Sequence, residues 1–288
     1  MILFIVNPIS GHGDKTAVVS RLKKKDCRVV YTEYAGHAEQ LAREADEDIV
    51  VAVGGDGTVN EVARGLIGTG KTLGIIPRGS GDGLALHLGL NHDINRSIRI
   101  IEEGKTRNID AGMINGRYFF SVCGVGLDAI VSERFAKSGK RGLISYLEQA
   151  FISWKDHTSD KFTIEIDGQV IEHNAVMITV GNSDRWGHAA KVAPLADCSD
   201  GILDMTVVED FNDLDIPVLG LMLMTGTVDK APNIHCYKGK HFTITRGNAG
   251  PAHADGDWFE ADRVIDIKII EHALKVIVPY TSCIKKKY

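Results

Sequence analysis

Residues 49–61, Ile-Val-Val-Ala-Val-Gly-Gly-Asp-Gly-Thr-Val-Asn-Glu, join an apolar run to a glycine-rich turn. The run Ile49–Val53 predicts a buried strand, and the residues from Asn60 to Leu66 predict the helix that follows it. Glycines between a strand and a helix let the backbone approach a ligand closely, and the helix N-terminus favours a phosphate group. Asp56 adds a carboxylate, which would repel phosphate unless a cation such as Mg²⁺ lies between them. The alternative is an ordinary glycine turn with Asp56 as a helix N-cap.

Two further polar loops follow predicted strands. Residues 7–15 follow the apolar run Ile2–Val6, and residues 77–83 follow the run Leu73–Ile76. Because the carboxyl ends of parallel strands share one edge of a sheet, the three loops are predicted to line one crevice. None of the three loops ends in the Gly-Lys-Ser/Thr of a Walker A motif. None is a Gly-x-Gly-x-x-Gly loop with an acidic residue about twenty positions later, which disfavours a dinucleotide site.

The composition favours a globular protein of two domains. The chain has 288 residues, of which 44% are apolar and 25% charged, and its formal net charge of -5 argues against non-specific nucleic-acid binding. The five cysteines form no C-x-x-C pair, which indicates a reducing compartment and no zinc site. No apolar run reaches the length of a transmembrane helix. We therefore expect a cytoplasmic protein that touches a membrane surface only transiently, should its substrate be a lipid.

The pattern of predicted elements changes near residue 108. Before it, apolar strands alternate with helices predicted at 16–25, 38–45 and 94–103, which indicates a parallel sheet with crossover helices. After it, short strands dominate, and Phe162–Ile166 turns back at Asp167-Gly168 as a hairpin. The fold class expected is an α/β N-terminal domain followed by a mainly antiparallel β-sandwich. We predict a nucleotide-binding domain at 1–108 with the tail 275–288, and a sandwich domain at 109–274.

The loops, taken in order, resemble the diacylglycerol kinase catalytic-domain family, which includes bacterial lipid kinases, sphingosine kinases and ceramide kinases. The resemblance is carried by Val6-Asn7-Pro8 with Ser10-Gly11, Thr32 with Gly36-His37-Ala38, Gly54–Thr58, Gly79-Ser80-Gly81 with Leu84-Ala85, Gly124–Ala129, Ser199–Asp204 and Asp255-Gly256-Asp257. The chain departs from the family at two places. Asp82 and Gly83 stand where the family usually has Asn followed by Asp or Ala, and Asp257 stands where it usually has Glu.

The resemblance implies an ATP-dependent kinase that uses Mg²⁺ and phosphorylates a lipid hydroxyl, either of diacylglycerol or of a sphingoid-type lipid. Asp257 would be the base that activates the acceptor hydroxyl, with Asp56 as second choice, and Asp128 would contact the polar head of the lipid. A structural Mg²⁺ would be held by the side chains of Asp197 and Asp200 and the carbonyl of Ile202. The residues expected at the nucleotide are Asn7, Pro8, Ser10, Gly11, Thr32, Gly54, Gly55, Asp56, Gly57, Thr58, Glu61, Gly79, Ser80, Gly81, Asp82 and Asp255.

Several alternatives stay open from the sequence. NAD kinases also carry Gly-Gly-Asp-Gly-Thr ahead of a β-rich domain, and the departures at Asp82, Gly83 and Asp257 allow a non-catalytic nucleotide or lipid sensor. Asp255-Gly256 also suits a plain hairpin turn, and Asp128 suits a helix N-cap. The apolar, Met-rich stretch from Ile216 to Met224 predicts either a buried helix or a surface for an acyl chain or a membrane. A homodimer is a further alternative.

Overall fold

The computed structural model describes residues 1–10, 18, 27–139, 149, 152–153, 159–187, 190–212 and 215–280. The chain divides into a first unit, Met1–Ile109 with His272–Tyr288, and a second unit, Asp110–Glu271. The predicted limits are 108 and 275. The helix predicted at 16–25 and the nucleotide contact expected at Gly11 lie outside the described residues.

The first unit contains a parallel sheet. The strand order is β2-β1-β3-β4, and residues 275–276, near the end of β16, pair parallel with β4. The central strands β3 and β4 are mainly apolar and almost wholly buried, as expected for a parallel sheet that is covered on both faces. The strands are β1 (Ile2–Val6), β2 (Cys27–Tyr31), β3 (Ile49–Gly54), β4 (Thr72–Pro77) and the end of β16 (Val264–Ile277).

Helices follow the strands of this sheet, in the alternation that the sequence predicts. They are α1 (His37–Arg43), α2 (Asp56–Leu66), α3 (Gly83–His87) and α4 (Ile94–Glu103). Asp93 caps α4 by accepting hydrogen bonds from the backbone N–H groups of Asn95 and Arg96. Gly104 ends α4 in the left-handed conformation, at a φ of 64° that a glycine adopts without strain.

The second unit consists of two antiparallel sheets. In one sheet the order is β16-β13-β8-β9, with β5 and β6 beside it, and in the other it is β12-β11-β10-β7-β14-β15. Further helices are α5 (Leu127–Ser138), α6 (Ile216–Thr225) and a 3₁₀ turn at Val228–Lys230. The strands are β5 (Thr106–Ile114), β6 (Arg117–Phe119), β7 (Val122–Gly126), β8 (Asp160–Ile166), β9 (Gln169–Ala175), β10 (Met177–Gly181), β11 (Leu203–Val208), β12 (Ile234–Gly239), β13 (His241–Arg246), β14 (Gly250–Ala254), β15 (Asp257–Ala261) and the start of β16.

The core of the second unit lies between its two sheets. Phe162 and Phe242 from one sheet pack in a single buried cluster with Ile178 and Met205 from the other. Buried apolar residues alternate with partly or fully exposed polar ones along β8 and most of β13, because successive side chains of a strand point to opposite faces. This arrangement, together with the parallel sheet of the first unit, confirms the predicted fold class.

Candidate active site

The glycine turn after β3 leads into a helix earlier than the sequence pattern predicts. Helix α2 begins at Asp56 rather than at Asn60, so Asp56, Gly57 and Thr58 form its first turn. Gly57 is exposed, and a Cβ placed on it would meet no heavy atom of the described residues within 4 Å. Peptide N–H groups in the first turn of a helix lack intrahelical partners. The space in front of this turn therefore suits an anion.

The loops after β3 and β4 pack directly against each other. A Cβ on Gly79 would lie 2.6 Å from the Cα of Gly55, and a Cβ on Gly55 would lie 3.0 Å from the Cα of Gly79. A Cβ on Gly54 would lie 2.5 Å from Oγ1 of Thr58. The two loops follow neighbouring strands that pair in parallel. Both positions need glycine because the two backbones meet there and leave no room for a side chain. The sequence of either loop alone does not indicate this contact.

Asp56 joins the two loops through its side chain. Its Oδ2 accepts a hydrogen bond from the N–H of Asp82 at 2.7 Å, and its Oδ1 accepts one from the N–H of Gly83 at 2.7 Å. Burial raises the pKa of the Asp56 carboxyl, while the amide donors lower it. Each oxygen keeps a second lone pair, so a cation ligand role stays compatible with these bonds.

Asp82 is a second buried carboxylate in the same place. It accepts hydrogen bonds from the N–H of Gly79 at 2.9 and 3.1 Å and lies 2.7 Å from Nε2 of His92. Burial and then repulsion from Asp56 raise the pKa of Asp82, while His92 lowers it. The side chain holds its own loop together, and the left-handed φ of 54° at Asp82 is one that Asp and Asn tolerate. No signal in the sequence marks His92, because only the folded loop brings it to Asp82.

The loop that follows β1 also contacts the glycine turn after β3. Nδ2 of Asn7 donates a hydrogen bond to Oγ1 of Thr58 at 3.0 Å. Oδ1 of Asn7 accepts one from the N–H of Ile9 at 3.1 Å, and the hydroxyl of Ser10 donates to the Asn7 carbonyl at 3.4 Å. Pro8 is exposed beside them. The structure thus brings Asn7 and Thr58 together, as the prediction of a shared crevice requires.

The other residues predicted at the nucleotide have different surroundings. Thr32 is buried after β2, where its N–H donates to the Val6 carbonyl at 2.9 Å. Ser80 is exposed and Gly81 is partly buried. The two oxygens of Glu61 accept hydrogen bonds from the N–H groups of Gly36 and Ala38, at 2.9 and 3.1 Å, at the start of α1. Glu61 thereby caps the start of α1, and its contact with the nucleotide stays a prediction.

The segment that connects α2 to β4 matches the consensus sequence of a P-loop. Residues 65–72 read Gly-Leu-Ile-Gly-Thr-Gly-Lys-Thr. They connect a helix to a strand, whereas a P-loop connects a strand to a helix. A Cβ on Gly65 would lie 2.4 Å from the Glu39 carbonyl oxygen, and Nζ of Lys71 donates to the Ala45 carbonyl. The order of elements and these contacts exclude the segment as a P-loop.

In the second unit, Asp255 and Gly256 form the turn of the hairpin between β14 and β15. Their φ angles of 51° and 86° place both residues in the left-handed region, as a type I′ turn requires. The Asp255 carboxylate accepts hydrogen bonds from the N–H groups of Phe120, Ser121 and Val122, at 2.8, 2.8 and 3.1 Å. Burial raises its pKa to about 6, although the three amide donors lower it. These bonds fix the Asp255 carboxylate against the chain at Phe120 to Val122, and its contact with the nucleotide stays a prediction.

Asp257 follows this turn as the first residue of β15, where it pairs with Ala254 across the hairpin. It is exposed, unlike Asp255. An exposed carboxylate on a tight hairpin has access to a substrate and a defined position. The role of Asp257 as the base stays a prediction.

Asp128 lies in the interior of the second unit. Its side chain accepts hydrogen bonds from Oγ1 of Thr179 at 2.6 Å and from the N–H of Ala129 at 2.8 Å, and it lies 3.2 Å from Nε2 of His253. Asp128 is 2% exposed, and the N–H of Gly256 donates to Nδ1 of His253 at 3.2 Å. The structure therefore argues against direct contact of Asp128 with a lipid head. Asp128 instead supports His253, which contacts the Asp255-Gly256 turn.

The predicted metal turn contains closely spaced oxygen donors. Oδ1 of Asp197 accepts hydrogen bonds from the N–H and the hydroxyl of Ser199, at 3.2 and 2.9 Å, and Oδ1 of Asp200 accepts one from the N–H of Ile202 at 3.2 Å. Burial raises the pKa of Asp204, and the nearby charges of Asp200 and Asp197 raise it further, while Lys238 lowers it. Oxygen donors and negative potential suit a hard cation such as Mg²⁺. The metal ligands themselves stay predictions.

Both parts of the chain are similar to known domain families. Residues 1–114 match the diacylglycerol kinase catalytic domain, and residues 121–278 match the YegS C-terminal NAD kinase beta sandwich-like domain. The chain belongs to the diacylglycerol kinase catalytic-domain family.

Individual proteins are similar to this chain in sequence or in fold. The chain is 28% identical over 234 residues to a diacylglycerol kinase of Staphylococcus saprophyticus, covering 79% of this chain and 77% of the relative. A solved structure of a Bacillus anthracis diacylglycerol kinase has the same fold, with a TM-score of 0.78 and 23% identity over 98% of this chain and 97% of that one. An ATP complex of an Archaeoglobus fulgidus NAD kinase shares the fold more distantly, with a TM-score of 0.60 and 13% identity over 98% of this chain and 95% of that one.

Proposed function

We propose that this protein is an ATP-dependent lipid kinase that transfers the γ-phosphate of ATP to a hydroxyl of diacylglycerol or of a sphingoid-type lipid. The observation that carries the proposal is the contact of Gly55 with Gly79 beside the open first turn of α2. Helix N-termini and glycine backbones bind phosphate groups, and family membership supports a kinase. The relatives that are named diacylglycerol kinases support a lipid as the acceptor.

The first unit would bind the nucleotide. The first turn of α2 at Gly57 would face the phosphates, with Asn7, Ser10 and Thr58 beside it. Asp56 and Asp82 are two neighbouring carboxylates, and burial followed by the repulsion between their charges raises the pKa of Asp82. A divalent cation is the countercharge that such a pair favours, so the residues fit Mg²⁺. Bound Mg²⁺ would neutralise charge on the transferring phosphate.

The second unit would supply the base. Asp257 would accept the proton of the lipid hydroxyl as that oxygen attacks phosphorus. The turn that carries Asp257 is held by the three amide bonds of Asp255 and by the contact of Gly256 with His253. Asp128 and His253 would act as positioning residues, because His253 contacts the turn at Gly256 and Asp128 in turn contacts His253.

Helix α6 supports brief contact with a membrane surface. Val218, Leu221 and Met224 are 55%, 62% and 66% exposed, and the helix contains no charged residue. These positions recur at every third residue, so they lie on one face of the helix. On this face, α6 is therefore not the buried helix that one interpretation of the sequence predicts. No helix among the described residues is long and apolar enough to cross a membrane.

The test is a phosphorylation assay with labelled ATP and Mg²⁺, in which a total lipid extract and NAD are parallel acceptors. The proposal is supported if wild type transfers the label to lipid and Asp257→Asn does not. Asp93→Ala, a change at the cap of α4 that the proposed site does not use, is the matched control and should label lipid as wild type does. Label in NAD alone would favour an NAD kinase. Binding of ATP without transfer to either acceptor would favour a sensor.

A further inference from the structure

Two histidines and one glutamate converge in the second unit, and the proposed kinase reaction uses none of them. His173 lies on β9, His235 lies on β12, and Glu209 directly follows β11. One ligand atom from each of the three lies within 4.8 Å of the other two. Imidazole nitrogen with carboxylate oxygen is a donor set typical of zinc and other first-row transition metals.

The distances within this His173–Glu209–His235 cluster match a compact metal site. Nδ1 of His173 lies 2.9 Å from Oε1 of Glu209, and Nε2 of His235 lies 3.6 Å from the same oxygen. Ligands that bind Zn²⁺ tetrahedrally at about 2.0–2.1 Å are separated from one another by roughly 3.3 Å. Only small side-chain movements would bring all three atoms to one ion, and Glu209 is free to make them because its side chain is 37% exposed.

The surroundings of the cluster are also those of a metal site. Nε2 of His173, the nitrogen that faces away from Glu209, lies 2.7 Å from the hydroxyl of Tyr237. A histidine that binds a metal through one nitrogen usually donates the other N–H to such a partner, and a tyrosine hydroxyl can accept it. The N–H of Glu209 donates to the Asn233 carbonyl at 3.0 Å, so the chain that carries this ligand is held in place. Rigid strands therefore preorganise the donors.

The position of the cluster indicates what an ion would do there. β9 is the last strand in the order of one sheet, and β12 is the first strand in the order of the other. Two edge strands of a sandwich have no further strand to hold them together. An ion shared by His173 and His235 would link the two edges.

We infer that His173, Glu209 and His235 form a binding site for a divalent transition metal, best matched by Zn²⁺, that joins the two sheets of the sandwich. The nitrogen donors distinguish it from the proposed Mg²⁺ site, whose expected ligands from Asp197, Asp200 and Ile202 are all oxygen atoms. The inference is independent of the proposed kinase activity, because none of its three ligands has a role in the reaction.

The experiment is a Zn²⁺ titration of the untagged, chelator-treated full chain in excess Mg²⁺, followed by calorimetry and by thermal melting. Co²⁺ serves as a second probe, since its visible absorption reports nitrogen coordination. The variants are His173→Ala, Glu209→Gln and Tyr237→Phe. His241→Ala is the matched control: His241 is also a strand histidine beside a carboxylate, 2.5 Å from Asp266, but it belongs to no group of three ligands among the described residues.

We expect wild type and His241→Ala to bind one equivalent of Zn²⁺ and to melt at a higher temperature when it is bound. His173→Ala and Glu209→Gln should lose this equivalent, and Tyr237→Phe should bind it about 10–100-fold more weakly. The inference is overturned if wild type shows no saturable binding, or if Glu209→Gln binds as tightly as wild type. Should His173→Ala fail to fold, Glu209→Gln decides the question alone, because its side chain is partly exposed and changes only the charge.

Discussion

Replacing Asp56 by alanine should reduce both stability and turnover. The change removes the acceptor of two 2.7 Å hydrogen bonds from the N–H groups of Asp82 and Gly83, which hold the two glycine loops together. Hydrogen bonds to a charged group contribute about 1.5–3 kcal/mol each. Part of this loss is offset, because the change also removes a carboxylate that burial destabilises and that repels Asp82. We expect the free energy of unfolding to fall by about 2–4 kcal/mol.

Asp93→Ala is the matched control for this measurement. It removes the same side chain from the same unit and also costs two backbone hydrogen bonds, at 2.9 and 3.1 Å, from Asn95 and Arg96. The Asp93 side chain is an exposed helix cap, and removing such a cap usually lowers the free energy of unfolding by about 1 kcal/mol. Turnover should not change, because Asp93 lies outside the proposed site.

Urea unfolding and lipid phosphorylation, measured on wild type and both variants, test the reasoning. The turnover of Asp56→Ala, corrected for the folded fraction, should fall by about 10²–10³. If Asp56→Ala is no less stable than Asp93→Ala, the two hydrogen bonds do not hold the loops together. If its corrected turnover stays within a few-fold of wild type, Asp56 has no part in the reaction. Asp56→Asn, which keeps one oxygen acceptor, should be more stable than Asp56→Ala and equally slow.

Four further outcomes can be measured. Gly79→Ala should lower the free energy of unfolding, measured with urea, by about 1–3 kcal/mol, because the added Cβ would meet backbone. Gly57→Ala should keep the stability of wild type and should weaken ATP binding, measured by calorimetry. Because the pKa of Asp255 is raised from 3.8 to about 6, its contribution to stability should decline as the pH rises from about 4 to 6, and Asp255→Asn should flatten that slope in urea melts. Asp257→Asn should lower single-turnover rates by about 10²–10⁴ with unchanged ATP affinity, whereas Asp257→Glu should keep substantial activity. Asp200→Ala should lower the melting temperature and abolish its dependence on Mg²⁺; identical melting of wild type in Mg²⁺ and in chelator would contradict the metal site.

The architecture was predictable because it depends on local signals. An apolar run such as Ile49–Val53 predicts a buried strand wherever it lies, and glycine-rich turns mark where strands end. The change from long alternating elements to short strands near residue 108 likewise indicates two kinds of sheet. Helix α2 begins four residues earlier than the sequence predicts. Asp56, Gly57 and Thr58 are residue types typical of turns, but in the structure they form the first turn of the helix.

The partners of the carboxylates were not predictable from local sequence. Asp255 binds the N–H groups of Phe120 to Val122, more than 130 positions away, and Asp128 lies 3.2 Å from His253 across 125 positions. An aspartate in a polar turn is equally suited to a ligand, a metal or a backbone amide. A hairpin turn at Asp255-Gly256 is one of the alternatives that the sequence leaves open, and the observed φ angles show that this turn forms.

The sequence by itself therefore determined the order of the elements, the kind of each sheet and the family, because hydrophobic periodicity and glycine spacing are properties of neighbouring residues. Only the tertiary structure decided which carboxylates face solvent and which hold the fold. Asp257 is exposed, whereas Asp255 is only partly exposed and Asp128 is buried, although all three belong to motifs of the same family. The physical reason is that burial and hydrogen-bonding partners come from strands and loops that meet only when the chain folds, and these surroundings determine what a carboxylate can bind.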